Sequence, residues 1–326
     1  GILAALSTGG IVFAFHGFKQ AAEMAGEAKN PNKSIPFAII GSVIFCLFLF
    51  VLLQLAFMTS LTPNNLSHGW KGLSLYNNSS PLFSILKQDN LTNTLPLLAI
   101  AAIIAPLASG LMYCSSAARS LYGMSQNGYL PDLFKKLTAS GNPIYAILLN
   151  FCVGLVLFFP LPGWKEMVTF LTSIITITYA SAPICLLALR KQLPEKKRTF
   201  KLPFANIWCY IAFTLCTLFS YWSGWNILSK LGSCILIGLA ILFAYKLFSK
   251  KGKNIELNIA QSIWFFIYII GLMFLSYIGD FGNGHHWFSE LNSFIIMAVF
   301  CLFIQMLAQI NRLPEHKTKE YISNLT

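Results

Sequence analysis

An all-α integral membrane protein of about nine transmembrane helices is predicted by three features of the sequence. Of 326 residues, 56% are hydrophobic and only 10% are charged, and the mean hydropathy is +0.64, values outside those of soluble domains. The apolar residues gather into nine segments, each near the roughly 20 residues that cross a hydrocarbon core. The bases also sort by side. With alternate loops assigned to one face, eighteen lysines and arginines share that face, against Lys71, Lys87, Lys165 and Lys230 opposite. The positive-inside rule then predicts a multi-pass protein of the cell (inner) membrane with its first residue outside and its C-terminus cytoplasmic. One base remains, Lys19, and it lies within a segment.

The segments run from 2 to 27, 36 to 61, 95 to 118, 143 to 161, 167 to 189, 204 to 222, 231 to 248, 262 to 280 and 291 to 310. The chain begins within a span, at Gly1-Ile2-Leu3 with no initiator methionine, so sequence is expected upstream. Asn30-Pro31 and Ile35-Pro36 are expected to close the first segment and open the second, since a residue before proline avoids the α region and proline suits a first turn. The outer loop 62–94 carries a short helix with Ser80 as N-cap and Pro81 at its first position; it reads as a re-entrant lid or as a plain surface loop. The inner loop Leu121–Pro131 leads into Asp132–Leu137, an amphipathic turn with lysines for anionic headgroups. Gly141-Asn142-Pro143 opens the fourth span. Gly163-Trp164 and Gly224-Trp225 put aromatics at segment ends, where an interfacial belt wants them. Arg190 to Pro203, with six bases, reads as a cytoplasmic connector.

The first segment holds the chemistry. Its apolar run from Ile2 to Phe15 meets His16, Gly17 and Lys19 before a helix-favouring stretch, Ala21 to Ala28, resumes. A lysine halfway along a span costs about 2.5 to 3.5 kcal/mol on insertion scales, so it asks for a functional reason. Glycines beside it mark where the helix opens, and open backbone at membrane depth is tolerated where it is buried or lines a cavity. The expectation is a pair of half-helices whose N–H donors suit a carboxylate and whose carbonyls suit an ammonium. Plainer alternatives stand beside it. Lys19 and Glu23, four residues apart, fit a structural ion pair, and His16 fits either a proton-linked role or a bond to a backbone carbonyl.

Other function classes fit less well. The bases lie in short clusters between apolar runs, which speaks against nucleic acid as a partner. Eight cysteines stand singly, without CxxC spacing, and read as packing residues. His285-His286 has no carboxylate at ligand spacing, so neither a metal nor another cofactor is expected. An intramembrane enzyme lacks a matched serine, histidine and aspartate set, and a channel lacks repeated charge rings. A secondary transporter accounts for the broken helix, the embedded charge and the topology together; a non-transporting fragment or structural membrane protein remains as an alternative.

Gly17-Phe18, the run Ala21 to Lys29 and Asn30-Pro31-Asn32-Lys33-Ser34-Ile35-Pro36 resemble the sixth helix and following loop of amino acid permeases of the amino acid-polyamine-organocation (APC) superfamily. Ala118-Arg119-Ser120-Leu121-Tyr122 through Asn127-Gly128-Tyr129-Leu130-Pro131, with Asn142-Pro143, is similar to the loop after helix eight. The resemblance implies a truncated leucine-transporter-like fold. Residues 1–190 would be helices six to ten, 191–250 two peripheral helices and 251–326 two additional helices with a cytoplasmic tail. Helices one to five, which supply half of the site in that fold, would then be partners of this chain. The resemblance also implies proton-coupled amino acid transport. Phe13 would serve as an aromatic gate, with Ala14, Phe15, His16 and Gly17 at the break, Lys19 facing the cavity and Tyr113 closing over substrate; His16 and Glu23 are the candidates for a proton-linked role. Lys19, in the first turn of the inner half-helix, wants an anion. Glu23 is one candidate for it; the side-chain carboxylate of aspartate or glutamate is the other.

Overall fold

The computed structural model describes residues 2–7, 10–23, 28–66, 69, 80–159, 163–198, 201–249, 257–281 and 283–323. Every regular element among them is helical: α1 (Ile2–Ser7), α2 (Ile11–Ala14), α3 (Lys19–Glu23), α4 (Pro31–Thr59), α5 (Pro81–Gln88), α6 (Leu95–Gln126), α7 (Ile144–Leu157), α8 (Trp164–Gln192), α9 (Ala205–Tyr221), α10 (Trp225–Phe248), α11 (Ile259–Ile278), α12 (Glu290–Ile310) and α13 (Glu315–Ser323). Six helices are long and apolar enough to cross a membrane: α4, α6 with the turn before it, α8, α10, α11 and α12. Of the other three expected spans, α7 and α9 are shorter apolar helices and the first segment is divided into α1, α2 and α3.

Several boundaries differ from the sequence expectation for identifiable reasons. The second span begins at Pro31, not Pro36: Asn30 accepts from the Lys33 and Ser34 amides at 3.1 and 2.9 Å, so the ladder is running before Pro36 is reached. Pro31 takes the first helical position, where its missing N–H costs nothing. Leu121 to Gln126, expected as loop, completes α6. Gly123 does not interrupt the helix, and Gly128, at φ +83°, ends it with Tyr129 N–H bonding the Met124 carbonyl at 2.9 Å. The Ser125 hydroxyl donates to the Pro131 carbonyl at 2.8 Å and pins the exit. Ser80 precedes α5 as expected, but its side chain makes no capping bond; its carbonyl accepts instead from the Ser84 hydroxyl. The amphipathic turn at Asp132–Lys135 is a single 3-10 turn.

The described chain forms two compact units, one of residues 1–16, 124–132 and 152–326 and the other of 17–123 and 133–151. This groups residues by contact, a different principle from division by helix order. The first unit contains the apolar core, where Phe170 and Ile177 of α8, Phe213 of α9, Leu228 of α10, Tyr268 and Leu272 of α11 and Met297 and Ile304 of α12 are buried together. The α8–α9 pair is its centre. A polar seam runs between these helices: Ser173 donates to the Ser223 hydroxyl at 2.7 Å, Thr176 pairs with Ser220 at 2.7 Å, and Thr217 meets the Tyr268 hydroxyl at 3.1 Å. The serine and threonine hydroxyls of α8 and α9 also lie within reach of a carbonyl one turn back on their own helix, as Thr172 donates to Val168 and Thr217 to Phe213, both at 2.8 Å.

The last long helix, α12, is fastened to that centre. Gln192 donates to the Leu313 carbonyl at 2.7 Å, Gln309 to that of Ile184 at 3.2 Å, and Tyr210 to that of Ala298 at 2.8 Å. In the second unit the outer faces of α4 and α6 are apolar and exposed, Phe37, Leu52 and Leu111 among them, as a lipid-facing surface requires.

Candidate functional site

The first segment is broken where His16, Gly17 and Lys19 predicted. α2 stops at Ala14, residues 15–18 form turns, and α3 begins at Lys19. Phe15 and His16 close the first half with amides bonded to Val12 and Phe13 carbonyls at 3.1 and 3.0 Å; Gln20 and Ala21 open the second on the Gly17 and Phe18 carbonyls. Gly17 has φ +125°, a region that a side chain strains. A second irregularity precedes α2, where Gly10 has φ +82° and a Cβ there would rest 3.7 Å from Val168. The border between the compact units falls between His16 and Gly17.

Phe13, Ala14, Phe15 and His16 therefore belong with the first unit. The His16 ring meets Tyr179 of α8 edge-on at 5.4 Å and Phe13 at 6.0 Å, and its Nε2 is buried without a hydrogen-bond partner. Tyr179 is a residue that sequence reasoning missed: it lies in the α8 run of threonines, and nothing local marks which of its faces meets the break.

Gly17, Lys19, Glu23 and Tyr113 belong with the second unit. Lys19 Nζ is 2.7 Å from Glu23 Oε1, so the ion pair expected from their spacing is made. The lysine side chain is 38% exposed and the glutamate 20%. Tyr113, on α6, hydrogen-bonds the Gln20 side chain and senses the Glu23 carboxylate, while Gln20 Oε1 is itself buried without a partner. Gln20 is the second residue missed, although it stands beside Lys19 in the same motif. The second unit thus brings a cation, a carboxylate, an amide and a phenol to one place. An α-amino acid has the complementary groups.

The outer turn differs from the sequence expectation in one respect: Asp280 Oδ1 lies 3.0 Å from His286 Nδ1, so a carboxylate does reach the histidine pair. Among the described residues no group of three or more histidines, cysteines, aspartates or glutamates is arranged to hold a metal.

A protein-family model described as amino acid permease matches residues 8–258. The glutamate/serine transporter AimA of Bacillus subtilis (strain 168) is 34% identical over 280 residues, 86% of this chain and 51% of its own. The aspartate-proton symporter of the same organism is 30% identical over 317 residues, 97% of this chain and 61% of its own. The branched-chain amino acid permease BcaP of Lactococcus lactis subsp. cremoris (strain MG1363) is 30% identical over 244 residues, 72% and 49% respectively. The chain thus spans about half the length of the curated relatives it matches. No solved structure matches.

Proposed function

Because the chain belongs to the amino acid permease family of the APC superfamily, we propose that it works in secondary active transport of amino acids across the cell membrane, taking aspartate or glutamate together with protons. It is read as a transporter and not an enzyme, working with helices that the longer relatives supply. The observation that carries the reading is the Lys19–Glu23 pair at a break inside a membrane segment. The names of two relatives, a glutamate/serine transporter and an aspartate-proton symporter, support the acidic class.

The pair supports a coupling scheme. A substrate offers its side-chain carboxylate to Lys19. As Lys19 turns to the substrate, a proton taken up on Glu23 replaces its lost counter-ion. One carboxylate arrives and one proton is taken up, so the site together with its substrate keeps the net charge of the empty pair. Tyr113, held beside Gln20 in the same unit, closes over the substrate.

The test is uptake and binding by the complete permease in proteoliposomes. Lys19→Met should weaken aspartate or glutamate binding about tenfold to a hundredfold, the range of a charge-assisted hydrogen bond, and spare a neutral amino acid. Equal loss of neutral and acidic substrates, or rescue of poor folding by Lys19→Met/Glu23→Gln, would make the pair structural and end the acidic reading.

A further inference from the structure

A cavity of about 590 Å³ opens among the ends of α8, α10, α11 and α12, away from the break and wholly within the first unit. Its size falls within the range of small-molecule sites, roughly 300–1,000 Å³. Its lining is graded. Gln192, Asn258, Asn311 and Arg312 surround the loop end. Ile184, Leu239 and Phe265 line the wall toward the membrane interior. Along α8 the eight residues from Gln192 back to Ile184 make that descent about 12 Å at 1.5 Å per residue. The cavity therefore has a polar mouth at the level of the loops and an apolar shaft parallel to the helices.

Charge selects the occupant. Arg312 brings a guanidinium to the mouth, steadied by an NH1 bond of 2.6 Å to the Gln309 carbonyl. Among the described residues no carboxylate lines the cavity, and the first turn of α11, which forms part of the mouth, holds no acidic residue. The mouth is on the side where the eighteen bases gather, the side whose leaflet carries anionic lipid. The outer faces of the walls, with Leu236, Ile241 and Ile263 exposed, are apolar too, so the cavity continues the lipid-facing surface. It is also preformed, because Gln192 and Gln309 bond α8 to the end of α12 beside it.

We propose that this cavity is a binding site for one anionic glycerophospholipid of that leaflet, its phosphate at Arg312 and an acyl chain along Ile184, Leu239 and Phe265. Native mass spectrometry of the full chain tests it, using dioleoylphosphatidylglycerol, dioleoylphosphatidylcholine and inorganic phosphate as probes. One phosphatidylglycerol should be retained in preference to phosphatidylcholine. Arg312→Gln should weaken that retention about fivefold, the effect of one base at a charged surface. Ala188→Phe fills the shaft without changing charge and should also reduce it. Equal retention of the two lipids, displacement by inorganic phosphate alone, or retention indifferent to both substitutions would overturn the proposal. The comparison of lipids on the unsubstituted chain decides it even where a variant fails to fold.

Discussion

Glu23 is the residue on which the coupling scheme turns. Its carboxylate is 2.7 Å from Lys19 Nζ and only 20% exposed. Glu23→Gln removes the proton acceptor but leaves a hydrogen-bonding side chain in place. The expected outcome is continued binding of aspartate or glutamate with loss of substrate-driven proton uptake, read by a pH indicator inside proteoliposomes. Proton uptake unchanged in the variant would move the role to His16. The spacing of Lys19 and Glu23 made their pairing legible from the sequence, because i,i+4 geometry is local. Tyr179 and Gln20 were not legible in the same way: their part depends on which side chains the break meets, and that is settled by packing between distant segments.

Gly17 marks where the first segment changes from one half-helix to the other and where the chain passes between its two compact units. A Cβ at Gly17 would meet nothing within 4 Å, so Gly17→Ala probes the backbone alone. At φ +125° the substitution should cost about 1–3 kcal/mol, the penalty for a non-glycine residue held in a sparsely populated region. Thermal unfolding in detergent measures it; an unchanged transition would mean that the break relaxes without strain. The same element shows what patterns of glycine and proline convey. His16-Gly17 and Asn127-Gly128 stop helices because they combine a positive φ with polar neighbours, whereas Pro36 does not, because a helix already under way tolerates the loss of one N–H. Breakers were legible as candidates; which of them acts was settled by the hydrogen bonds already formed upstream.

At the scale of the molecule, the count of bases assigns the Arg190–Pro203 connector to the cytoplasm together with the C-terminus. Glu195 is exposed in that connector, so Glu195→Cys, in a background without other cysteines, should resist a membrane-impermeant thiol reagent applied to intact cells. Modification from outside would invert the topology. The order of the apolar segments was legible because hydropathy and charge are written segment by segment, but of the nine spans expected only six are long, apolar helices among the described residues. The attachment of α12 to α8 and α9 was not, since it rests on single side chains such as Gln192, Tyr210 and Gln309 making bonds between residues roughly 90 to 125 positions apart. The seam between α8 and α9 has a bearing on how such a chain is made. Its serine and threonine hydroxyls each have a carbonyl of their own helix within reach, so a helix leaving the ribosome for the bilayer arrives with an acceptor for those donors and needs no partner to shield them. Insertion and assembly are thereby separated in time: α8 can enter lipid before α9 has been translated, and their association then adds hydroxyl contacts without having to rescue any stranded group.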